Sequence, residues 1–331
     1  MIEVVVDKCV FECWDKIIMI ELGCYNRIVY GLIFWISVSA SMVNAQRSSR
    51  AIPPEEIKLN TKDGVKLAAT YYASSQGKDA IPVVMLHDFK ESRTVFNQLA
   101  EAIQSPDDGS GDSRAVITVD LRGHGESTVQ VSGNGRTRDL EASRLKANDF
   151  IAMYTQDMEA VRRFLVDEND AGQLNLNSLC LLGAGMGANV ATFWAAADWS
   201  APRLATLKQG QDIKALILAS PEWSYNGLPL LRPLRQPGVR QEISFFIVYG
   251  DQAPKAKRDA KNTLKNLVKY HPEPPRDKIK ELKDLFVISL PTKLQGTMLL
   301  TSPEFGMIPA LNAFIDARLT QKHFEWVSRE H

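Results

Sequence analysis

Asn175-Leu-Asn-Ser-Leu-Cys-Leu-Leu-Gly-Ala-Gly-Met-Gly-Ala-Asn-Val-Ala-Thr-Phe-Trp-Ala-Ala-Ala197 decides how the rest of the chain is read. Leu179 to Leu182 is apolar and short enough for a buried strand. Ala188 to Ala197 has a helical composition with no breaker. Gly183, Gly185 and Gly187 stand between them. A strand that bends this sharply into a helix aims unpaired backbone N–H groups at whatever lies above the bend. Two chemistries use such a bend. A nucleophile can stand at its tip, in the pattern G-x-S-x-G. A pyrophosphate can lie on it, in the pattern G-x-G-x-x-G/A. Gly183, Gly185 and Ala188 fit the second pattern literally. The first fits everywhere except at Gly185, where the serine would stand.

Moving outward, Ile57 to Asn60 and Val65 to Tyr72 read as alternating strands around the Asp63-Gly64 turn. Ile81 to Leu86 is a continuous apolar run, as a central parallel strand requires, and ends in His87-Asp88-Phe89. Phe96, Leu99, Ala100 and Ile103 carry helical spacing. Ala115 to Val119 is the next strand and runs into Asp120-Leu-Arg-Gly-His-Gly-Glu-Ser127. Gln130 to Lys146 is polar and is expected to be a mobile surface excursion. Met158, Val161, Phe164 and Leu165 mark a helix. After the opening stretch come strands at Ile213 to Ala219 and Ile243 to Tyr249, then a basic helix near 255–270. Strand material within Leu285 to Leu300 and an amphipathic helix from Ile308 to Leu319 close the order. Strands alternating with helices imply an α/β fold, a doubly wound, mostly parallel sheet behind an N-terminal hairpin. Ligands are received at the strand C-terminal ends. The organisation expected is a linker over 46–55, one domain over 56–320 and a tail over 321–331.

The 331 residues are 45% hydrophobic and 24% charged, enough for one large α/β core. Formal net charge is +0 with no basic tract, which argues against a nucleic-acid partner. Residues 1–45 are expected to be an N-terminal extension and signal peptide. Arg27 precedes an eleven-residue apolar run, Ile28 to Val38, followed by Val43-Asn44-Ala45. That order predicts export, to the periplasm or outside the cell, with cleavage after Ala45. The run is short of the roughly twenty apolar residues of a membrane span. An uncleaved membrane anchor is the alternative, and the only membrane association expected. Glu3, Asp7, Glu12 and Asp15 suit a signal n-region badly, so a start at Met19 rather than Met1 is the expectation. Cys9, Cys13 and Cys24 precede the cleavage site, leaving Cys180 alone in the mature chain and no disulfide within it. No metal or cofactor site is expected.

In these motifs the chain resembles the α/β-hydrolase fold family, in its serine aminopeptidase and monoglyceride-lipase-like branch. Asp120 to Ser127 is similar to that branch's D-x-R-G-H-G-x-S turn. His87-Asp88 resembles its His-Gly turn, and Gly183-Ala-Gly-Met-Gly187 its G-H-S-M-G elbow with His and Ser both replaced. The resemblance runs from about residue 55 to 320. It implies a nucleophile at Gly185, a histidine near Leu294 to Thr297, and an acid after Tyr249. Gly185 has no side chain, and no histidine stands between His271 and His323. Asp251 is the candidate acid, although the family's Gly-x-x-Asp spacing falls on Ala253. The oxyanion donors implied are the N–H groups of Met186 and Phe89. Asp88 replaces a glycine beside them, where a carboxylate opposes a developing negative charge. His124 and Asp120 are read as parts of a structural turn, and the basic helix as a solvated face.

The expected function is therefore an exported hydrolase-fold protein without serine-hydrolase activity. It would act as a binding or structural module toward a small molecule or a protein, with an empty space where the serine oxygen would be. His87, Asp88, Phe89 and Trp223 are the candidate pocket, and Trp199 and Tyr225 line a pocket or pack in the core. The connection Ser220 to Gln241 is too short for a large lid, so a broad, open cleft is expected. The first alternative is a hydrolase of esters or amides whose water is activated by Asp88, Asp251 or His124. The second is an NAD(P)-binding protein. Against the latter, Ile213 to Ala219 ends in Ser220-Pro221 rather than in an acid for the ribose.

Overall fold

A computed structural model describes residues 52–106, 112–202 and 208–329. The expected signal segment, its cleavage site, Cys9, Cys13, Cys24 and most of the 46–55 linker lie outside the described residues. Among the described residues, no helix is long and apolar enough to cross a membrane.

The hairpin is β1 (Glu55–Asn60) and β2 (Lys66–Tyr72). Gly64 takes φ +87 in its turn. β3 (Pro82–Leu86), α1 (Asn97–Gln104), β4 (Ala115–Val119) and α2 (Met158–Asp170) follow. The opening stretch becomes β5 (Leu179–Ala184) and α3 (Met186–Trp199). Then come β6 (Ile213–Ala219), β7 (Ser244–Gly250), α4 (Pro254–Leu267), β8 (Leu285–Leu290) and α5 (Met307–Ile315). They form one eight-stranded sheet in the order β1-β2-β4-β3-β5-β6-β7-β8. β1 pairs antiparallel with β2 and β2 antiparallel with β4, and every other pairing is parallel. β1 begins at Glu55, so the expected linker overlaps the sheet by one residue.

Alternation along the strands divides the core into two layers. Val84, Leu181, Leu216 and Phe245 face one side, where α2 and α3 pack. Val83, Leu182, Ile217 and Val248 face the other, against α1 and α5. α3 is buried on nearly every side, which suits its Ala, Val, Phe and Trp composition. Its one buried amide is used: Asn189 Nδ2 donates to the carbonyls of Glu222 and Leu228, and its Oδ1 accepts from the Glu222 N–H. This holds the loop after β6 against the start of α3.

The expected mobile excursion is a small ribbon instead. Val129–Val131 pairs with Thr137–Asp139, and Gln130 bridges to Val65. Periodicity could not show this, because three-residue strands carry no face pattern. The connection Ser220 to Gln241 folds as a two-residue hairpin and two short helices, with no large lid. The tail is docked: Asn175, Asn177 and Asn169 side chains donate to the carbonyls of Phe324, Glu325 and Val327. Arg329 reaches Asp212 at 2.7 Å.

Candidate active site and its plug

The C-terminal ends of β3, β4 and β5 bring the three turn motifs together. At the β5–α3 bend each glycine has its own reason. A Cβ on Gly183 would stand 2.5 Å from the Gly187 carbonyl oxygen, and one on Gly187 2.2 Å from that of Leu86. Both let helix and strand approach closely. Gly185 takes φ +47 and ψ −113, a sharp turn that L side chains rarely adopt.

A Cβ at Gly185 would lie 2.1 Å from Asp88 Oδ2. The Asp88 carboxyl thus fills the space of a residue-185 side chain, and the expected empty space is not there. Sequence reasoning took Asp88 and Gly185 as separate departures from the family pattern; in the structure the carboxylate of one loop occupies the volume beside the glycine of the other. Asp88 Oδ1 accepts from the N–H of Met186 at 2.9 Å and that of Phe89 at 2.7 Å. These are the two groups expected as oxyanion donors. The carboxylate does not merely stand beside the pair; it is bonded to both. Gly296 flanks it from the other side, since a Cβ there would lie 2.6 Å from Oδ2.

Electrostatics around Asp88 are mixed. Burial pushes its carboxyl above the usual range, the bonds from Met186 and Phe89 pull it down, and Glu91 pushes it up again. Glu91 Oε2 accepts from the Asp88 N–H, and its Oε1 from the Thr297 hydroxyl at 2.6 Å. Among the described residues no cationic side chain pairs with Asp88. Burial, and then the Asp88 charge, raise the Tyr225 phenol above its usual range.

His87 is a strut between the loops. Its Nε2 accepts the Leu121 N–H at 3.2 Å, which leaves Nδ1 as the donor to the Asp88 carbonyl at 2.7 Å. Full burial lowers it to about 4, so it is a neutral imidazole at neutral pH. His124 is also buried and shifted down; its Nδ1 meets the Arg122 carbonyl, and its Nε2 has no partner. The Phe89 ring lies 5.6 Å from His124 and 6.3 Å from Tyr225, and Tyr225 lies 5.4 Å from Phe150. Trp223 packs half-buried against the core, and the Trp199 indole donates to the Ile213 carbonyl. Phe89, His124, Phe150 and Tyr225 thus form a chain of ring contacts drawn from four segments.

The position expected for a base histidine is held by an amide. Gln295 Oε1 accepts from the Ser220 hydroxyl at 2.6 Å, and its Nε2 donates to the Gly250 carbonyl at 3.0 Å. Ser220 takes φ +50, and its Oγ accepts the Gly296 N–H at 3.0 Å. Asp251 follows β7, with its carboxylate 3.8 Å from Lys257 Nζ. His271 stands against Phe245 with Nδ1 2.9 Å from Asp284 Oδ1. None of these groups forms a nucleophile–base–acid chain. Ser220, Glu91, Gln295 and Gly296 were missed in the sequence, and only their chain position after a strand end could have marked them. Among the described residues no group of three or more His, Cys, Asp or Glu is placed to hold a metal. A cavity of about 540 Å³ lined by Tyr154, Arg162, Trp194, Asp198, Lys208 and Arg329, among others, shares no residue with the glycine turn.

This strand order and the bend at residue 185 define an α/β-hydrolase fold. The chain is similar to an esterase of Pyrococcus furiosus, at 14% identity over 81% of this chain and 91% of that one, with a TM-score of 0.54. It is similar to a putative α/β hydrolase of unknown function from Agrobacterium tumefaciens, at 16% identity over 81% and 98%, with a TM-score of 0.53. The peroxisomal α/β-hydrolase Lpx1 of Saccharomyces cerevisiae is also similar, at 11% identity over 84% and 90%, with a TM-score of 0.55. No protein-family model and no curated protein sequence matches the chain.

Proposed function

We propose that this chain is an α/β-hydrolase-fold protein that has lost serine-hydrolase chemistry and serves as a binding or structural module outside the cytoplasm. The observation that supports it is the Asp88 carboxylate, bonded to both Met186 and Phe89 N–H groups in the space beside Gly185. Acyl transfer needs a nucleophile, a base and two free donors for the oxyanion. Here the nucleophile has no side chain and the donors already hold a negative charge. A fluorophosphonate probe is expected to leave the folded protein unlabelled; stoichiometric labelling of any one serine would sink the reading. Export rests on the Arg27 to Ala45 segment, and the N-terminal sequence of the secreted protein is expected to begin at Gln46.

A second reading keeps hydrolysis of esters or amides with Asp88 or His124 activating water. It draws on the unpaired His124 Nε2 and on the esterase among the similar structures. Turnover of a p-nitrophenyl acyl ester, abolished by Asp88→Ala and His124→Ala, would favour it. Dinucleotide binding is opposed by the same carboxylate, because it occupies the Met186 N–H and repels a pyrophosphate.

A further inference from the structure

The cavity of about 540 Å³ away from the glycine turn lies where α2 and α3 face each other. Glu159, Arg162 and Val166 line it from α2, at the i, i+3, i+7 spacing of one helix face. Trp194, Ala197 and Asp198 line it from α3, at i, i+3, i+4. Tyr154 joins them from a π-helical turn, Met153–Asp157, with its ring 5.1 Å from that of Phe193. Tyr154, Val166, Trp194 and Ala197 give the cavity an apolar bed. Its volume falls within the roughly 300–1,000 Å³ of small-molecule sites.

The charges in its wall are unevenly matched. Three cations share the buried Asp212 carboxylate: Arg329 at 2.7 Å, Lys208 at 2.6 Å and Arg162 at 4.0 Å. Asp198, the buried acid of the wall, is committed elsewhere, since its Oδ2 accepts the N–H groups of Asp212 and Ile213. Arg162 keeps a single hydrogen bond, from Nη2 to the Gln209 carbonyl at 2.8 Å. Its Nε and Nη1 have no acceptor among the described residues.

Glu159 is the opposite case. It precedes Arg162 by three residues, a spacing that suits a helical ion pair. The two form none, and among the described residues the Glu159 carboxylate has no hydrogen-bond or ion-pair partner. Both residues are half-buried. One cavity therefore presents an uncommitted guanidinium edge and an uncommitted carboxylate, one helical turn apart, beside an apolar bed. Positions three apart on a helix set their Cβ atoms about 5–6 Å from each other, which suits two opposite charges carried on one carbon.

We propose that this cavity binds a free α-amino acid with an apolar side chain. The ligand carboxylate accepts from Arg162 Nε and Nη1, its ammonium donates to Glu159, and its side chain lies on Trp194 and Val166. The site is separate from Asp88 and Gly185, so labelling of a serine would end the preceding reading and leave this one standing. Calorimetry of the full chain with L-phenylalanine is expected to show saturable binding below about 1 mM. L-Phenylalaninamide lacks the carboxylate and N-acetyl-L-phenylalanine the ammonium, and each is expected to bind at least about tenfold more weakly. Arg162→Gln should weaken L-phenylalanine about tenfold and leave the amide unchanged; Glu159→Gln should weaken it similarly and leave the N-acetyl ligand unchanged. A misfolded variant cannot mimic that crossed pattern. Absence of saturable binding by L-phenylalanine overturns the proposal. So does equal affinity for the three ligands, or a variant that weakens all three alike.

Discussion

Two glycine turns at the C-terminal ends of β4 and β5 use the same device and resolve it differently. At the first, a Cβ on Gly125 would stand 2.1 Å from Asp120 Oδ2, with φ +51. At the second, a Cβ on Gly185 would stand 2.1 Å from Asp88 Oδ2, with φ +47. Each turn folds around a carboxylate that leaves no room for a side chain. Asp120 is fully buried and compensated: it accepts from the Arg93 N–H and the Glu126 N–H, and it pairs with the Arg93 guanidinium. Ser127 locks the same turn by donating to the Asp120 carbonyl and accepting the Ala68 N–H. Asp88 has two backbone donors and no cation among the described residues. The first turn is a finished brace. The second holds its carboxylate by backbone N–H groups alone, in the space beside Gly185.

The comparison breaks most severely at Asp120. Asp120→Ala leaves the buried Arg93 with the exposed Glu56 and Glu126 carboxylates and the Thr70 hydroxyl, and two N–H groups without their acceptor. A loss of about 3 kcal/mol or more in urea unfolding is expected. His87 ties the two turns together, and its neutral form is the one the fold accepts. Its depressed value, about 4 against 6.5 unfolded, means that the unfolded chain binds the proton first as pH falls. Stability present above pH 6.5 is therefore lost as pH drops toward 4, by on the order of 3 kcal/mol. His87→Gln is expected to remove that slope from a pH series of unfolding midpoints.

Gly185→Ser tests the plug. The new side chain meets the Asp88 carboxyl at a positive φ, and a loss of about 1–3 kcal/mol is expected. Asp88→Gly in the same protein should return part of that loss, and a double-mutant cycle measures the coupling. Strictly additive effects would show that the two residues do not share the space. Asp88→Asn carries the smallest effect, and it has the opposite sign. The raised carboxyl holds its proton longer in the folded state than in the unfolded state, so the stability it contributes is lost as pH rises through its folded value. The neutral amide keeps an acceptor for Met186 and Phe89. A gain below about 1 kcal/mol is expected at neutral pH, vanishing in acid.

Much of this was legible in residue order. The hairpin, the parallel strands and the Asp120–Ser127 turn follow from apolar runs and glycine spacing, because a buried strand and a tight turn are local demands. The absence of a nucleophile at Gly185 was legible too. That Asp88 occupies the volume beside Gly185 was not, since the residues are 97 positions apart and volume is shared only in space. The ribbon at Val129–Val131 and the bonds of Ser220 with Gln295 and Gly296 escaped for a related reason: each depends on partners far along the chain.

By itself the sequence determined the order of strands and helices, the glycines that permit two positive-φ turns, and the absence of a side chain at residue 185. These are properties of single residues and their near neighbours. Only the tertiary structure decided that the Met186 and Phe89 N–H groups are already bonded to Asp88, that His87 is a neutral strut, and that β8 turns Leu285, Val287 and Ser289 outward. Hydrogen-bond partners, desolvation and strand edges are set by what the folded chain brings together, and no stretch of residues carries them alone.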